Sequence, residues 1–306
     1  MAKSPASAAT KSGPSDLAVG MALGLLGVVI FSGTLPATRI AISTFDPAFL
    51  TFARAGLATV AAIACLKWMG RSLLDGPLAL MVGIGLLLVF GFPGFVAIAM
   101  QTVPSAHGGI VLGILPLATA IFAVAIAGEK VSPLFWFCGV LGALIVIAFA
   151  LRGGTRAPAI GDLWLLMAGL SAALGYVLSG KLGRQMPGWE IICRALILVA
   201  PLTLIGMVLT FETAYLTPPL GDAIAFVYLG LGSMFLGFFA WNAGLTRGGI
   251  ARVGQLQLFQ TFFTIAIAAL LIGEEVTWDM LGYAIAVFVT VAIGQRARTA
   301  KASPRP

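Results

Sequence analysis

The sequence consists of long apolar stretches separated by short polar connections. Each stretch holds about 20 residues, which is the length that an α-helix needs to cross the hydrocarbon core of a bilayer. Because an unpaired backbone group is very unfavourable in lipid, segments of this length are expected to be helices. The sequence therefore predicts an all-α integral membrane protein with ten transmembrane helices, at residues 17–43, 48–69, 77–99, 105–127, 133–151, 160–181, 188–210, 219–243, 250–272 and 278–296.

Composition supports lipid as the solvent and narrows the partners. Hydrophobic residues make up 60% of the chain and charged residues 9%, against roughly 45–50% and 25% in soluble domains. The net charge of +7 arises from basic residues in the short connections, so no nucleic-acid partner is expected. We expect a lipid bilayer and a small-molecule substrate as partners, a monomer or weak homodimer, and neither cofactor nor metal.

The distribution of Lys and Arg predicts the orientation. If both termini are cytoplasmic, thirteen basic residues lie on the inner side and three on the outer side. Cytoplasmic connections of membrane proteins carry an excess of Lys and Arg. The predicted location is a bacterial-type cytoplasmic (inner) membrane, crossed several times, with both termini inside.

Two local patterns occur twice. Gly128-Glu129 ends one apolar run, and Gly273-Glu274 ends another 145 positions later. The segment from Pro47 to Arg54 recurs as Pro187 to Arg194 with the same internal spacing. We therefore predict a first five-helix repeat at 17–151 and a second at 152–296, with a disordered cytoplasmic tail at 1–16 and a basic cytoplasmic tail at 297–306.

An odd number of helices in each repeat places the two copies in opposite orientations. Inverted repeats of this kind are typical of secondary transporters, in which the substrate site lies between the repeats and opens alternately to each side. An enzyme is not expected. The segment at 175–182 comes close to a phosphate-binding loop, but it lacks the Ser or Thr that would hold magnesium and lies in an apolar run.

At these residues the chain resembles the drug/metabolite transporter superfamily, and within it the EamA-type ten-helix exporters. The resemblance rests on the Pro-x6-Arg openings, on Pro116 followed by Gly128-Glu129, and on the five-helix repeat; the second copy departs from it with Thr261 where the first has Pro116. Within the superfamily the chain looks most like YddG-type exporters of aromatic amino acids. The resemblance implies a cavity lined by helices 3, 4, 8 and 9, and export of small amphipathic metabolites, above all aromatic or hydrophobic amino acids, by alternating access.

Polar residues inside the predicted helices are candidates for substrate contact, because they are unfavourable in lipid without a function. Gln257 and Gln260 share a helix face, and neutral amides suit a zwitterion; the alternative is a hydrogen bond that joins two helices. His107, the only histidine, is also a candidate proton carrier. The remaining candidates are Tyr228, Asn242, Tyr176 and Ser32.

A second group of residues is predicted to shape or gate the bundle. Pro47 and Pro187 begin kinked helices, and Arg54 and Arg194 are expected to pair with helix ends or lipid phosphate. Structural or gating roles are also predicted for Pro116, Glu129 and Glu274, the two glutamates as anchors at helix ends.

Other functions remain open from the residues alone. A drug or nucleotide-sugar carrier of the same superfamily is one alternative, although a nucleotide would favour Lys or Arg in the middle of the cavity, and no Lys lies in mid-span. A channel or a structural membrane protein is the other.

Overall fold

The computed structural model describes residues 14–127, 132–152, 160–183, 185–248 and 253–299, and every regular element within these ranges is helical. Seven helices are long and apolar enough to cross a membrane, an eighth candidate is a pair of helices bent by 52°, and two further apolar helices are shorter. We number them in chain order as α1 Asp16–Ala41, α2 Pro47–Trp68, α3 Leu78–Ala99, α4 Ser105–Ile126, α5 Pro133–Leu151, α6 Ile160–Leu182, α7 Gly188–Leu198 with Ala200–Thr210, α8 Leu220–Gly244, α9 Leu256–Ile272 and α10 Trp278–Gly294.

Each predicted span overlaps one of these helices, and ten membrane crossings stay a prediction. The bend in α7 lies at Val199, two residues before Pro201 in the first turn of its second half, where proline removes a backbone donor. Helical structure also enters both predicted tails. The first helix begins at Pro14, and the last continues to Thr299.

Local sequence explains where several helices begin and end. The Asp46 side chain accepts hydrogen bonds from the backbone of Ala48 and Phe49, and Pro47 occupies the first turn of α2; both features favour a helix start. The end of α9 is set by Gly273, which has a φ of 70°. This left-handed conformation suits glycine and accounts for the abrupt end of the apolar run at Gly273-Glu274.

Departures from α-helical geometry recur at matching places in the two halves. π-Helix occupies Leu86–Gly91 in α3 and Tyr228–Leu236 in α8. A 3₁₀ turn occupies Leu112–Ile114 in α4, and another at Gly254–Phe259 leads into the regular part of α9. The same irregularities in helices 3 and 8, and in helices 4 and 9, support the predicted repeat. Irregular helix of this kind concentrates at functional sites.

Helix packing follows the same symmetry. α1 packs along the last part of α8, and α6 packs along the last part of α3, while α4 meets α9 in the middle of the bundle. Glycines allow the closest of these approaches: a Cβ on Gly244 would lie 2.6 Å from the backbone nitrogen of Gly24. The two repeats are therefore interleaved.

The outside of the bundle is apolar. Large side chains such as Leu204, Val208, Leu209 and Leu270 are more than 60% exposed, in positions where a water-soluble protein would carry polar groups. A surface of this kind matches a hydrocarbon solvent. We call the end that holds the connections 42–46, 100–104, 211–219 and 273–277 the predicted outer end, and the end that holds 69–77 and 183–187 the predicted inner end.

Candidate functional site

A small cavity lies in the middle of the bundle, between α4, α9 and α1. Its volume is about 20 Å³, and Gln257 and Gln260 both line it. This is room for about one water molecule, so the helices are closed around it. The other lining residues are Leu35, Gly109, Leu112, Gly113, Leu115, Pro116, Thr261 and Thr264.

The two glutamine amides make no hydrogen bond to any residue that the structure describes, although both side chains are half-buried. They lie where the 3₁₀ turn Gly254–Phe259 passes into the α-helix that starts at Gln260. The change of helix type alters the direction of successive side chains, and both predicted residues reach the same cavity. Two amide groups can donate to a carboxylate and accept from an ammonium.

Pro116 and Thr261, which occupy equivalent positions in the two repeats, both line the cavity. The Thr261 hydroxyl donates to the carbonyl of Gly109 at 3.0 Å. Gly109 has no room for a side chain, because a Cβ there would lie 2.9 Å from Thr264. The cavity is therefore at the contact between the two repeats, where an inverted repeat places a substrate site.

A polar cluster lies where side chains of α2 and α8 approach α1. The Thr34 and Ser233 hydroxyls are 2.8 Å apart, and Arg54 donates from Nη2 to Ser233 at 3.4 Å. Tyr228 donates to the backbone carbonyl of Ile30. Tyr228 was predicted as a candidate for substrate contact, and Arg54 was predicted to have a structural or gating role. The Arg54 side chain is buried inside the bundle, and its pairing with a helix end or a lipid phosphate stays a prediction.

Ser32 lies between the cluster and the cavity. Its hydroxyl donates to the carbonyl of Val28 at 2.7 Å, a bond within its own helix. Its carbonyl accepts from Thr264, which lines the cavity, at 3.0 Å. The backbone of Ser32, rather than its hydroxyl, thus connects α1 to α9.

Two predicted residues lie away from the cavity. Asn242 packs against the start of α7, where a Cβ on Gly188 would lie 2.7 Å from the Asn242 side chain. Tyr176 on α6 packs against Phe238, with the ring centres 6.4 Å apart. Neither residue is among those that line the central cavity.

His107 is paired inside the predicted outer end. Its Nε2 lies 2.5 Å from Oδ1 of Asp162 on α6, and its ring lies 4.5 Å from that of Phe149. The side chain of Asp162 is only 3% exposed. The histidine does not line the cavity. Asp162 was missed because it lies in the first turn of α6, where sequence alone predicts a solvated carboxylate.

The residues predicted to gate occupy the two ends of the bundle. At the predicted outer end, Glu274 accepts hydrogen bonds from the backbone and hydroxyl of Ser105 and from the backbone of Ala106, at 2.7–2.8 Å. This contact joins the end of α9 to the start of α4. The equivalent Glu129 lies outside the described residues.

At the predicted inner end, Arg194 has an acidic partner. Its Nη2 lies 2.9 Å from Glu190 and 3.7 Å from Asp75, and Nε donates to the carbonyl of Ser72 at 3.3 Å. Arg194 and Glu190 are both buried. The contacts of Arg194 with Asp75 and Ser72 join α7 to the connection after α2, and Pro187 immediately precedes α7.

Comparison with known proteins places the sequence in context. The model of the EamA-like transporter family matches residues 18–151 and again residues 159–293. The uncharacterized transporter YdeK of Bacillus subtilis is 41% identical over 282 residues, covering 89% of this chain and 96% of YdeK. The aromatic amino acid exporter YddG of Ancylobacter novellus is 26% identical over 241 residues, covering 76% of this chain and 82% of YddG.

A solved crystal structure has a similar fold. It superposes with a TM-score of 0.65 at 21% sequence identity and covers 94% of this chain and 99% of the other.

Proposed function

Because the chain belongs to the EamA-like transporter family, we propose that it is a secondary transporter that exports small amphipathic metabolites, above all aromatic or hydrophobic amino acids, by alternating access. Family membership confirms the predicted resemblance and makes the chain a transporter rather than an enzyme. Ten crossings, inverted repeats, cytoplasmic termini, an inner-membrane location, a cytoplasmic tail at each end and a monomer or weak homodimer are parts of the same proposal.

One observation carries the choice of substrate class. Gln257 and Gln260 face the central cavity at the contact between the repeats, and neither amide bonds to another described residue. A helix-joining role would use those amides in a hydrogen bond between helices. Free amides beside an apolar lining suit a ligand that has both charged and apolar parts, and a relative at 26% identity is named an aromatic amino acid exporter.

The size of the cavity implies movement. A volume of about 20 Å³ is far below the roughly 300 Å³ or more of a typical small-molecule site. A substrate therefore enters only when α4 and α9 separate, and alternating access requires such separation at one end at a time. The 3₁₀ segments of both helices contribute residues to the cavity lining, where this movement would occur.

Counterflow tests the proposal directly. Purified protein is reconstituted into liposomes with unlabelled amino acid inside and a panel of labelled amino acids outside, without an ion gradient. We expect uptake of labelled Phe, Trp or Met above that of empty liposomes. Uptake of cationic drugs or nucleotide sugars alone would indicate the alternative carriers, and rapid flux without counterflow would indicate a channel.

Alanine variants test the site. We expect Gln257→Ala and Gln260→Ala each to lower counterflow about tenfold or more with an unchanged unfolding temperature. Gln185→Ala removes an exposed amide in the connection before α7 and is the matched control. If both site variants transport normally, or lose transport only as far as they lose stability, the amides serve packing.

A further inference from the structure

Arg54 is a buried cation with few partners. It lies seven residues, or about 10 Å, into α2 and is 3% exposed. Within the described parts of the chain no carboxylate lies within 4 Å of it, and its one hydrogen bond is the 3.4 Å contact to Ser233. Its Nε is buried and has no hydrogen-bond partner among the residues that the structure describes. A guanidinium stays charged and offers five donors, so most of its bonding capacity is available.

The second repeat shows how a structural arginine at the same position is satisfied. Arg194 follows Pro187 at the same spacing as Arg54 follows Pro47. It is equally buried, but Glu190 lies 2.9 Å away, one turn earlier on the same helix. The corresponding position in α2 is Leu50, which has no charge. Arg54 thus lacks the anion that its counterpart has.

The surroundings of Arg54 suit a carboxylate. The Ser233 hydroxyl lies 3.4 Å from the guanidinium, and the Thr34 hydroxyl lies 2.8 Å from that of Ser233. Hydroxyl donors next to an arginine fork are the groups that bind a planar anion. Thr34 directly precedes Leu35, which lines the central cavity. Neighbouring residues of α1 thus belong to the cluster and to the cavity lining.

Two weak points in the helices adjoin this cluster. α1 is interrupted at Gly33, between Ser32 and Thr34, where a Cβ would lie 2.4 Å from the Tyr228 hydroxyl. Opposite it, α8 is π-helical over Tyr228–Leu236. A shift at either point would connect Arg54 with the cavity without unwinding a regular helix.

We infer that Arg54, with the hydroxyls of Thr34 and Ser233, forms an anion-binding subsite that takes the carboxylate of the transported molecule. The inference rests on the proposed transport function and narrows its substrates to compounds with a carboxylate. A fork of guanidinium donors forms paired bonds to a carboxylate, and the incoming charge compensates the buried cation.

Matched acid and amide ligands test this subsite. Phenylalanine is compared with phenylalaninamide, and 3-phenylpropionate with its amide, by the rise in unfolding temperature of the detergent-solubilised protein and by counterflow. For the wild type we expect each acid to bind and exchange about tenfold or more better than its amide. In Arg54→Gln this preference disappears. Arg54→Lys keeps part of it, because a point charge remains without the fork.

Arg247→Gln, which removes an exposed positive charge near the end of α8, is the control and should keep the wild-type preference. The inference is overturned if Arg54→Gln prefers acids to amides as strongly as the wild type does. It is also overturned if the wild type binds acid and amide equally well. Should Arg54→Gln not fold, the wild-type ligand pairs and Arg54→Lys decide the question.

The outcomes separate the subsite from the proposed function. Amino acids that exchange without any preference for the acid support the proposed function and overturn the subsite. If no amino acid exchanges but 3-phenylpropionate stabilises the wild type and not Arg54→Gln, the subsite stands and the amino-acid proposal fails. A wild type that responds to none of the four compounds overturns both.

Discussion

Replacing Glu274 with glutamine tests whether a single carboxylate holds the predicted outer end together. The carboxylate accepts three hydrogen bonds from the start of α4, two from Ser105 and one from the backbone of Ala106. Ser105 and Ala106 are fully buried, so their donors depend on this one acceptor. The contact spans the two repeats, since Glu274 follows α9 and Ser105 begins α4.

The magnitude follows from these three bonds. A hydrogen bond to a charged group contributes about 1.5–3 kcal/mol, and one between neutral groups about 0.5–1.5 kcal/mol. The amide of Glu274→Gln keeps an oxygen for Ser105 but turns an NH₂ group toward the backbone donor of Ala106. Two weakened bonds and one lost bond, discounted because Glu274 is half-exposed, give a loss of about 2 kcal/mol.

Two measurements report this loss. The unfolding temperature of Glu274→Gln in detergent should fall below that of the wild type. A cysteine placed at Ala106, in a background without the native cysteines, should react with a water-soluble thiol reagent faster once the contact weakens. A change of about 2 kcal/mol corresponds to about a 30-fold faster reaction if separation of α9 from α4 limits access.

The neighbouring residue supplies the control. Glu275 is exposed and makes no hydrogen bond to the described residues, so Glu275→Gln removes the same charge without the contact. Equal stability and equal labelling in the two variants would refute the reasoning, because the effect would then be one of surface charge alone.

Two further predictions concern packing and burial of charge. Gly244→Ala places a Cβ 2.6 Å from the backbone of α1 and should destabilise the protein by about 1–3 kcal/mol or more in thermal unfolding. The control is Gly139→Ala, whose added Cβ meets no neighbouring atom within 4 Å; it should be neutral or slightly stabilising. Arg194→Gln removes the buried partner of Glu190, which lies 2.9 Å away, and should cost about 3–5 kcal/mol. Arg71 also pairs with Glu190, at 3.3 Å, but its side chain is 55% exposed, so Arg71→Gln should cost under about 1 kcal/mol. An equal loss in both arginine variants would contradict this view of the ion pair.

Sequence sufficed where the signal is local. The apolar runs predicted helices that the structure places at the same positions, because the length of a run and the solvent it requires are properties of consecutive residues. The end of α9 could also be predicted from sequence, because glycine adopts the left-handed conformation of Gly273 at little cost in free energy. The Pro-to-Arg and Gly-Glu patterns, each present twice, predicted the transporter family, because a repeat can be recognised from the spacing of residues along the chain.

The candidate site was only partly predictable. Gln257 and Gln260 were found because amides inside an apolar run are conspicuous. Asn242 was equally conspicuous, yet it packs against Gly188 at the start of α7, away from the cavity. A polar residue within an apolar run needs a polar partner. Which partner it meets depends on how each helix is rotated and tilted against its neighbours.

Sequence by itself determined that this chain is built for lipid, as helices in two related halves, with marked starts and stops. The tertiary structure alone decided which polar groups meet. Arg54 and Arg194 have identical spacing from a proline, but packing brings Arg194 to Asp75, 119 residues away, and Arg54 to Ser233, 179 residues away. The physical reason is that transfer into lipid acts on each segment separately, whereas charge compensation depends on atoms brought within a few ångströms by packing of distant helices.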